Sequence, residues 1–149
     1  MHFENVVLEA PVAVDAPISL SSHDIAQRLK PTMDRLGIRE NLLEEISGIR
    51  SRGLWDESTR PSDAATLAAE EAIARSGIDR SRIGLIINTS VSRDFLEPST
   101  ACMVHGNLGL APDCLNFDVA NACLGFLNGM DIAARMIERN ELDYALIVD

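Results

Sequence analysis

Apolar and polar positions alternate along the chain in two distinct patterns. Residues 83–88 (IGLIIN) and 144–148 (YALIV) are short, nearly unbroken apolar runs, the pattern of strands covered on both faces. Residues 3–14 are rich in Val and Ala and predict a strand leading into a loop at Pro17; residues 115–119 predict another short strand. Helical stretches lie between these runs. Ser21 and Ser22 are N-cap candidates for a helix reaching Leu36, with Gly37 as its stop and Pro31 kinking or dividing it. Residues 40–46 predict a short helix and 47–59 mostly loop. Pro61, Ser62 and Asp63 open a helix that ends at Gly77, with a broad apolar face from Ala64, Ala65, Leu67, Ala68, Ala72 and Ile73. Pro98 suits the first turn of a helix ending near Gly109. Residues 122–140 predict the longest helix. Ala122, Leu124, Gly125, Phe126 and Leu127 make its first half apolar nearly all round, so it is expected to be central and buried.

The order is strand, helices, strand, helix, strand, helix, strand. It predicts an α/β fold with a largely parallel sheet covered by helices on both faces. Chemistry in such sheets gathers at the carboxyl ends of strands, here 88–98, 119–123 and Asp149. With 149 residues the chain is expected to form one domain, large enough to bury a core without staples. A net charge of −10 argues against a nucleic-acid groove and a polybasic membrane patch, and the 4% aromatic content against stacking platforms. Three cysteines without a CxxC pair suggest neither a disulfide framework nor a zinc site, so no metal is expected. No stretch has the length of a membrane span, and residues 1–10 have no basic n-region. A cytoplasmic protein is the expectation.

Cys123 is the nucleophile candidate. It lies in Phe117-Asp118-Val119-Ala120-Asn121-Ala122-Cys123-Leu124-Gly125-Phe126, where a strand turns into an apolar helix. Unpaired N–H groups in a first helical turn favour the thiolate and suit an oxyanion. Gly125 allows another backbone or a substrate to approach closely. Spacing alone gives equal weight to an inert buried cysteine. Cys102 and Cys114 are expected to pack in the core, and His105 to be a solvated or hydrogen-bonded helix residue. No GxGxxG or GxxxxGK[ST] phosphate loop occurs.

These residues carry a resemblance. Gly48-Ile49 with Arg50 and Arg52, the run 83–89, Pro98-Ser99-Thr100-Ala101, the Cys123 segment and residues 143–149 together resemble the first half of a thiolase-superfamily condensing enzyme of the ketoacyl synthase III type. Ser90 to Thr100, Val119 to Cys123 and Asn128 to Arg135 resemble the OleA-type acyl-CoA thiolases of olefin biosynthesis in particular. The resemblance implies that Cys123 is acylated by a first fatty acyl-CoA. A second acyl-CoA then condenses with it, without decarboxylation, to a β-keto acyl product. It implies coenzyme A thioesters as substrates and no tightly bound cofactor. Arg50, Arg52 and Trp55 become candidates for the CoA entrance, although a loop anchor is the stronger reading of Trp55.

A non-decarboxylative Claisen condensation needs a base for the α-proton, and a carboxylate in a dry pocket suits that task. Glu97 is the candidate, a residue that position alone would assign to capping the next helix. In the OleA-type enzymes the corresponding glutamate reaches the other subunit's site. The resemblance further implies a sheet order of 3-2-1-4-5 with residues 115–119 at an edge, and a homodimer through that strand. The family's second half supplies a histidine and an asparagine without counterparts here. The chain is therefore expected to be a fragment or part of a split enzyme, needing a C-terminal half or complementary subunit and inactive alone. The rival readings are decarboxylative 3-oxoacyl-carrier-protein synthase III chemistry and a non-catalytic pairing subunit.

Overall fold

The structure, a computed structural model, describes residues 2–149. The chain forms two compact units: Asp15–Ser58, and the N-terminal stretch to Val14 together with Thr59–Asp149.

The larger unit is built on β3 (Ile83–Asn88), flanked in a parallel sheet by β4 (Leu115–Asp118) and β5 (Tyr144–Val148), in the order β4-β3-β5. Leu85, Ile86 and Ile87 are wholly buried, because β3 has a strand on each side and helices on each face. Ile83 and Ile86 pack with Ala65, Ala69 and Ile73 of α3 (Pro61–Ser76) and with Val104 and Leu108 of α4 (Thr100–Leu108). Leu85 and Ile87 face the other way, onto Ala133 of α5 (Gly125–Glu138) and the partly buried Ile132 and Met136. Over Leu85–Ile87 the period-two alternation of β3 thus assigns one helical layer to each face, and an irregularity in the register between Ile83 and Leu85 lets Ile83 join the Ile86 side.

The smaller unit pairs β1 (Ile18–Ser21) antiparallel with β2 (Ser51–Leu54) and adds α1 (Ser22–Leu36) and α2 (Leu42–Ser47). Ser21 caps α1 by accepting the Asp24 N–H at 3.0 Å, and Gly37 ends it in the left-handed conformation. The hydrogen bond from Ser21 Oγ holds the Asp24 carboxyl below the ordinary carboxylate range.

Several expectations are corrected. Residues 3–14 form no strand: the Glu4 and Asn5 N–H groups donate to the Glu138 carboxylate at 3.2 and 3.0 Å, and β4 and β5 hold the two edges of β3, while the outer edges of the sheet stay open in the described chain. The sheet order 3-2-1-4-5 fails for the same reason, since β5 pairs directly with β3 and no strand stands between them. Residues 51–54, expected in loop, form β2, where Gly53 admits the close approach of Ala16. Pro31 does not divide α1. The stretch 122–140 is not the longest helix. Ala122 has φ +42°, outside helical space, so a 3-10 turn (Ala122–Leu124) precedes the 14 residues of α5, and α3 is longer at 16. Nor is α5 buried all round: Leu124, Phe126 and Leu127 are 56%, 41% and 59% exposed, because no element of the described chain covers that side.

Candidate active site

The carboxyl ends of the three parallel strands converge on Thr89. Its N–H donates to the Val148 carbonyl at 2.7 Å, while the Val119 N–H donates to the Asn88 carbonyl at 2.8 Å. Thr89 Oγ1 lies 2.8 Å from Asp149 Oδ1 and 3.0 Å from the Val148 carbonyl, with one proton to give. The first turns of α5 lie against this junction. A Cβ on Gly125 would stand 2.6 Å from the Thr89 carbonyl oxygen, and one on Gly129 would stand 2.7 Å from Thr89 Cγ2. Small residues in α5 therefore set how closely the turn that carries Cys123 sits on the strand ends.

Cys123 occupies the middle of the 3-10 turn and is exposed. The turn engages the Leu124 N–H with the Asn121 carbonyl at 3.0 Å and the Gly125 N–H with the Ala122 carbonyl. The Ala122 and Cys123 N–H groups come before these bonds and have no acceptor within the turn. The Asn121 amide donates to Asn128 Oδ1 at 2.6 Å, bracing the turn against α5. Ala122, in left-handed space, is the kind of strained residue that persists only where its surroundings over-determine it. A thiol presented to solvent beside free N–H groups is equipped to attack a carbonyl carbon and to hold the resulting oxyanion.

The other cysteines differ from each other. Cys114 is buried as expected; burial, and secondarily Asp113, push its thiol up. Cys102, expected in the core, is exposed, because α4 turns that side away from β3 while Ala101 and Val104 face inward. Its N–H donates to the capping Ser99 Oγ at 3.1 Å. His105 Nε2 lies 3.0 Å from the Ala111 carbonyl, a hydrogen-bonded helix residue as the sequence suggests.

Glu97 stands exposed in the loop joining β3 to α4, before a cis bond to Pro98. It shares no hydrogen bond with Cys123 within the described chain, and no dry pocket encloses it there. The loop itself is fastened. Asp94 accepts the Ser62 N–H at 2.9 Å and the Ser62 hydroxyl at 2.6 Å, and the Arg60 guanidinium lies 5.5 Å from the centroid of the Phe95 ring. At the far end Asp118, the last residue of β4, accepts the Thr100 and Ala101 N–H groups at 3.0 and 2.8 Å and caps α4. Beneath α4, the amide of Asn88 and the hydroxyl of Thr100 are buried without partners. Sequence reasoning missed Thr89, Asp94 and Asp118. Thr89 and Asp94 do fall in the strand-end stretch 88–98, and Asp118 closes the run that forms β4, but nothing in the pattern named their partners.

Arg50, Arg52 and Trp55 belong to the smaller unit. Arg52 Nη1 donates to Ser22 Oγ at 2.9 Å and holds β2 to the start of α1; Arg50 is exposed and Trp55 half-buried. Among the described residues, no three His, Cys, Asp or Glu side chains gather as a metal site, and no helix is long and apolar enough to cross a membrane.

The chain is similar to known condensing enzymes. The 3-oxoacyl-[acyl-carrier-protein] synthase III family model matches residues 117–149. The acyl-CoA:acyl-CoA alkyltransferase of Xanthomonas campestris is 57% identical over the whole chain, which covers 44% of that protein. A β-ketoacyl-[acyl-carrier-protein] synthase III of Natranaerobius thermophilus is 33% identical over 89% of the chain, covering 38% of that protein. The crystal structure of cerulenin-bound Xanthomonas campestris OleA superposes with a TM-score of 0.89 at 56% identity, over 97% of this chain and 42% of that one. Variants of that OleA at one glutamate and one cysteine have also been solved, and those two positions are as far apart in its numbering as Glu97 and Cys123 are here. The chain spans less than half the length of these relatives. Likeness at this level along the whole chain, in sequence and in fold together, shows that the chain belongs to the thiolase-superfamily condensing enzymes of the ketoacyl synthase III type.

Proposed function

We propose that Cys123 accepts a fatty acyl group from acyl-CoA, and that the complete enzyme condenses it with a second acyl-CoA without decarboxylation. The Cys123 thiolate adds to the thioester carbonyl of the first substrate, the oxyanion is held by N–H groups of the turn, and coenzyme A leaves as its thiol. Glu97 takes an α-proton from the second acyl-CoA. The carbanion attacks the Cys123 thioester, expels the Cys123 thiolate and leaves a β-keto acyl-CoA. The observation that carries this reading is the exposed Cys123, held at a strained turn against the joined strand ends. The matching glutamate–cysteine spacing in the Xanthomonas OleA variants supports the pairing of roles.

The exposed position of Glu97 suits a base that serves a second copy of the chain. Such a dimer would form through β4, which has β3 on one side only. Arg50, Arg52 and Trp55 remain the CoA-entrance candidates, and CoA thioesters as substrates agree with the expected cytoplasmic location. Incubation of the full-length protein with radiolabelled acyl-CoA, followed by peptide mapping, tests the nucleophile. Label is expected on Cys123 and on no other residue, and none is expected in Cys123→Ala.

The synthase III relatives and the family match over residues 117–149 favour a second reading, decarboxylative condensation of the Cys123-bound acyl group with a malonyl-carrier protein. Supplying either a second acyl-CoA or malonyl-carrier protein to the acylated enzyme separates the two. The proposed reaction releases no carbon dioxide.

A further inference from the structure

The loop that carries Glu97 is fixed from a distance. Asp94 stands three residues before Glu97 and spends its carboxylate on Ser62, one oxygen on the N–H at 2.9 Å and the other on the hydroxyl at 2.6 Å. Ser62 is 1% exposed at the start of α3, so the anchor lies in rigid structure rather than in another loop. The position is electrostatically favourable, because a carboxylate completes the unpaired N–H groups of a first helical turn and meets the positive end of its dipole. Arg60 over the Phe95 ring adds a second hold one residue further along. On the α4 side, Ser99 caps the helix and Asp118 binds its first N–H groups. Glu97 is thus the exposed middle of a span tied at both ends to helix starts.

We propose that Asp94 is a positioning residue for the condensation step: its two bonds to Ser62 set where the loop presents the Glu97 carboxylate. This inference rests on the reading of Glu97 as the base. A base must stand within hydrogen-bond reach of the proton it removes, and displacement by about 1 Å costs on the order of 100-fold in rate. Acylation of Cys123 makes no use of Glu97, so the clamp acts on one half-reaction only.

The test uses the full-length enzyme and measures the two half-reactions separately in Asp94→Ala, Asp94→Asn, Ser62→Ala and Glu97→Gln. Asp94→Ala is expected to acylate Cys123 at the parent rate and to condense about 10- to 100-fold more slowly. Asp94→Asn keeps an oxygen for the Ser62 N–H and is expected to recover most of that loss. Ser62→Ala, which leaves the backbone donor in place, is expected to fall between them and serves if Asp94→Ala does not fold. The pH at which condensation reaches half its maximum is expected to stay at the parent value in all three, because the base itself is untouched. If Glu97→Gln stalls after acylation while Asp94→Ala and Ser62→Ala condense normally, the clamp is refuted and the base stands. If Glu97→Gln condenses normally, the base assignment fails first. Equal loss in both half-reactions would make Asp94 a general structural residue and overturn the proposal.

Discussion

The Thr89 carbonyl oxygen fills the space that a Cβ on Gly125 would need, at 2.6 Å. The obstacle is backbone held by the β3–β5 ladder, so it cannot swing aside as a side chain would. Gly125→Ala is therefore expected to destabilise the fold by about 1–3 kcal/mol, through overpacking. It should also lift the Cys123 turn off the strand ends. Urea unfolding should show the lower midpoint, and acyl labelling of Cys123 should slow by more than the unfolded fraction explains.

The three cysteines should separate in alkylation. Cys123 and Cys102 are both exposed, but only Cys123 lies in a strained turn whose leading N–H groups have no acceptor within it. Iodoacetamide is expected to modify Cys123 first, Cys102 next, and Cys114 last. The Cys114 thiol is pushed up by burial, so its thiolate appears only above the ordinary thiol range, and raising the pH should bring Cys114 in after the other two. Equal rates at Cys123 and Cys102 would count against an activated nucleophile.

Asp118 joins the end of β4 to the start of α4 through two N–H bonds. Removing the acceptor in Asp118→Ala is expected to cost about 1–2 kcal/mol, the range of a lost helix cap. Asp118→Asn, which keeps one acceptor oxygen, should lose less. Denaturant titration of both variants measures the difference, and an Asp118→Ala midpoint equal to the parent's would show that solvent caps α4 as well.

The outer edge of β4 offers a test of assembly. The Val119 N–H points to β3, so by the alternation of a strand the N–H groups of Asn116 and Asp118 point away from it. Proline at Asn116 would remove an outward donor and spare the ladder to β3, a place where edge strands tolerate it. The full-length protein is expected to sediment as a dimer and Asn116→Pro as a monomer with unchanged circular dichroism. A dimeric Asn116→Pro would move the interface elsewhere.

Legibility in the sequence followed the reach of the forces involved. Local signals were sufficient for α1 and α3, whose ends are marked by Ser21, Gly37, Pro61 and Gly77. Unbroken apolar runs located β3 and β5, because burial on both faces leaves little else in the pattern. Residues 3–14 misled, since an apolar composition records a preference for burial and does not say which acceptors the backbone N–H groups find, here the distant Glu138 carboxylate. The change from strand to helix around Cys123 was legible, whereas the left-handed Ala122 and the 3-10 turn were not. The bonds that hold the loop were not: Asp94 and Ser62 are 32 positions apart and meet only once α3 has packed on the sheet. Exposure of Cys102 was missed because α4 is short and weakly sided, so its sequence does not say which residues face β3.

The two-sidedness of α5 also bears on how this helix can change over time. Gly125, Gly129, Ala133 and Ala134 form its inner side and leave almost no volume to gain, so every enlargement there meets the sheet at once. Phe126 and Leu127 on the outer side, with Leu124 of the preceding turn, keep about half their surface open in the described chain. A library randomised over residues 124–134 and selected only for folding of this chain should keep the inner four small and let the outer three drift to polar residues. Selecting the full-length protein for acylation should hold the outer three apolar as well, and the gap between the two outcomes would show how much of the helix is written for surfaces outside these residues.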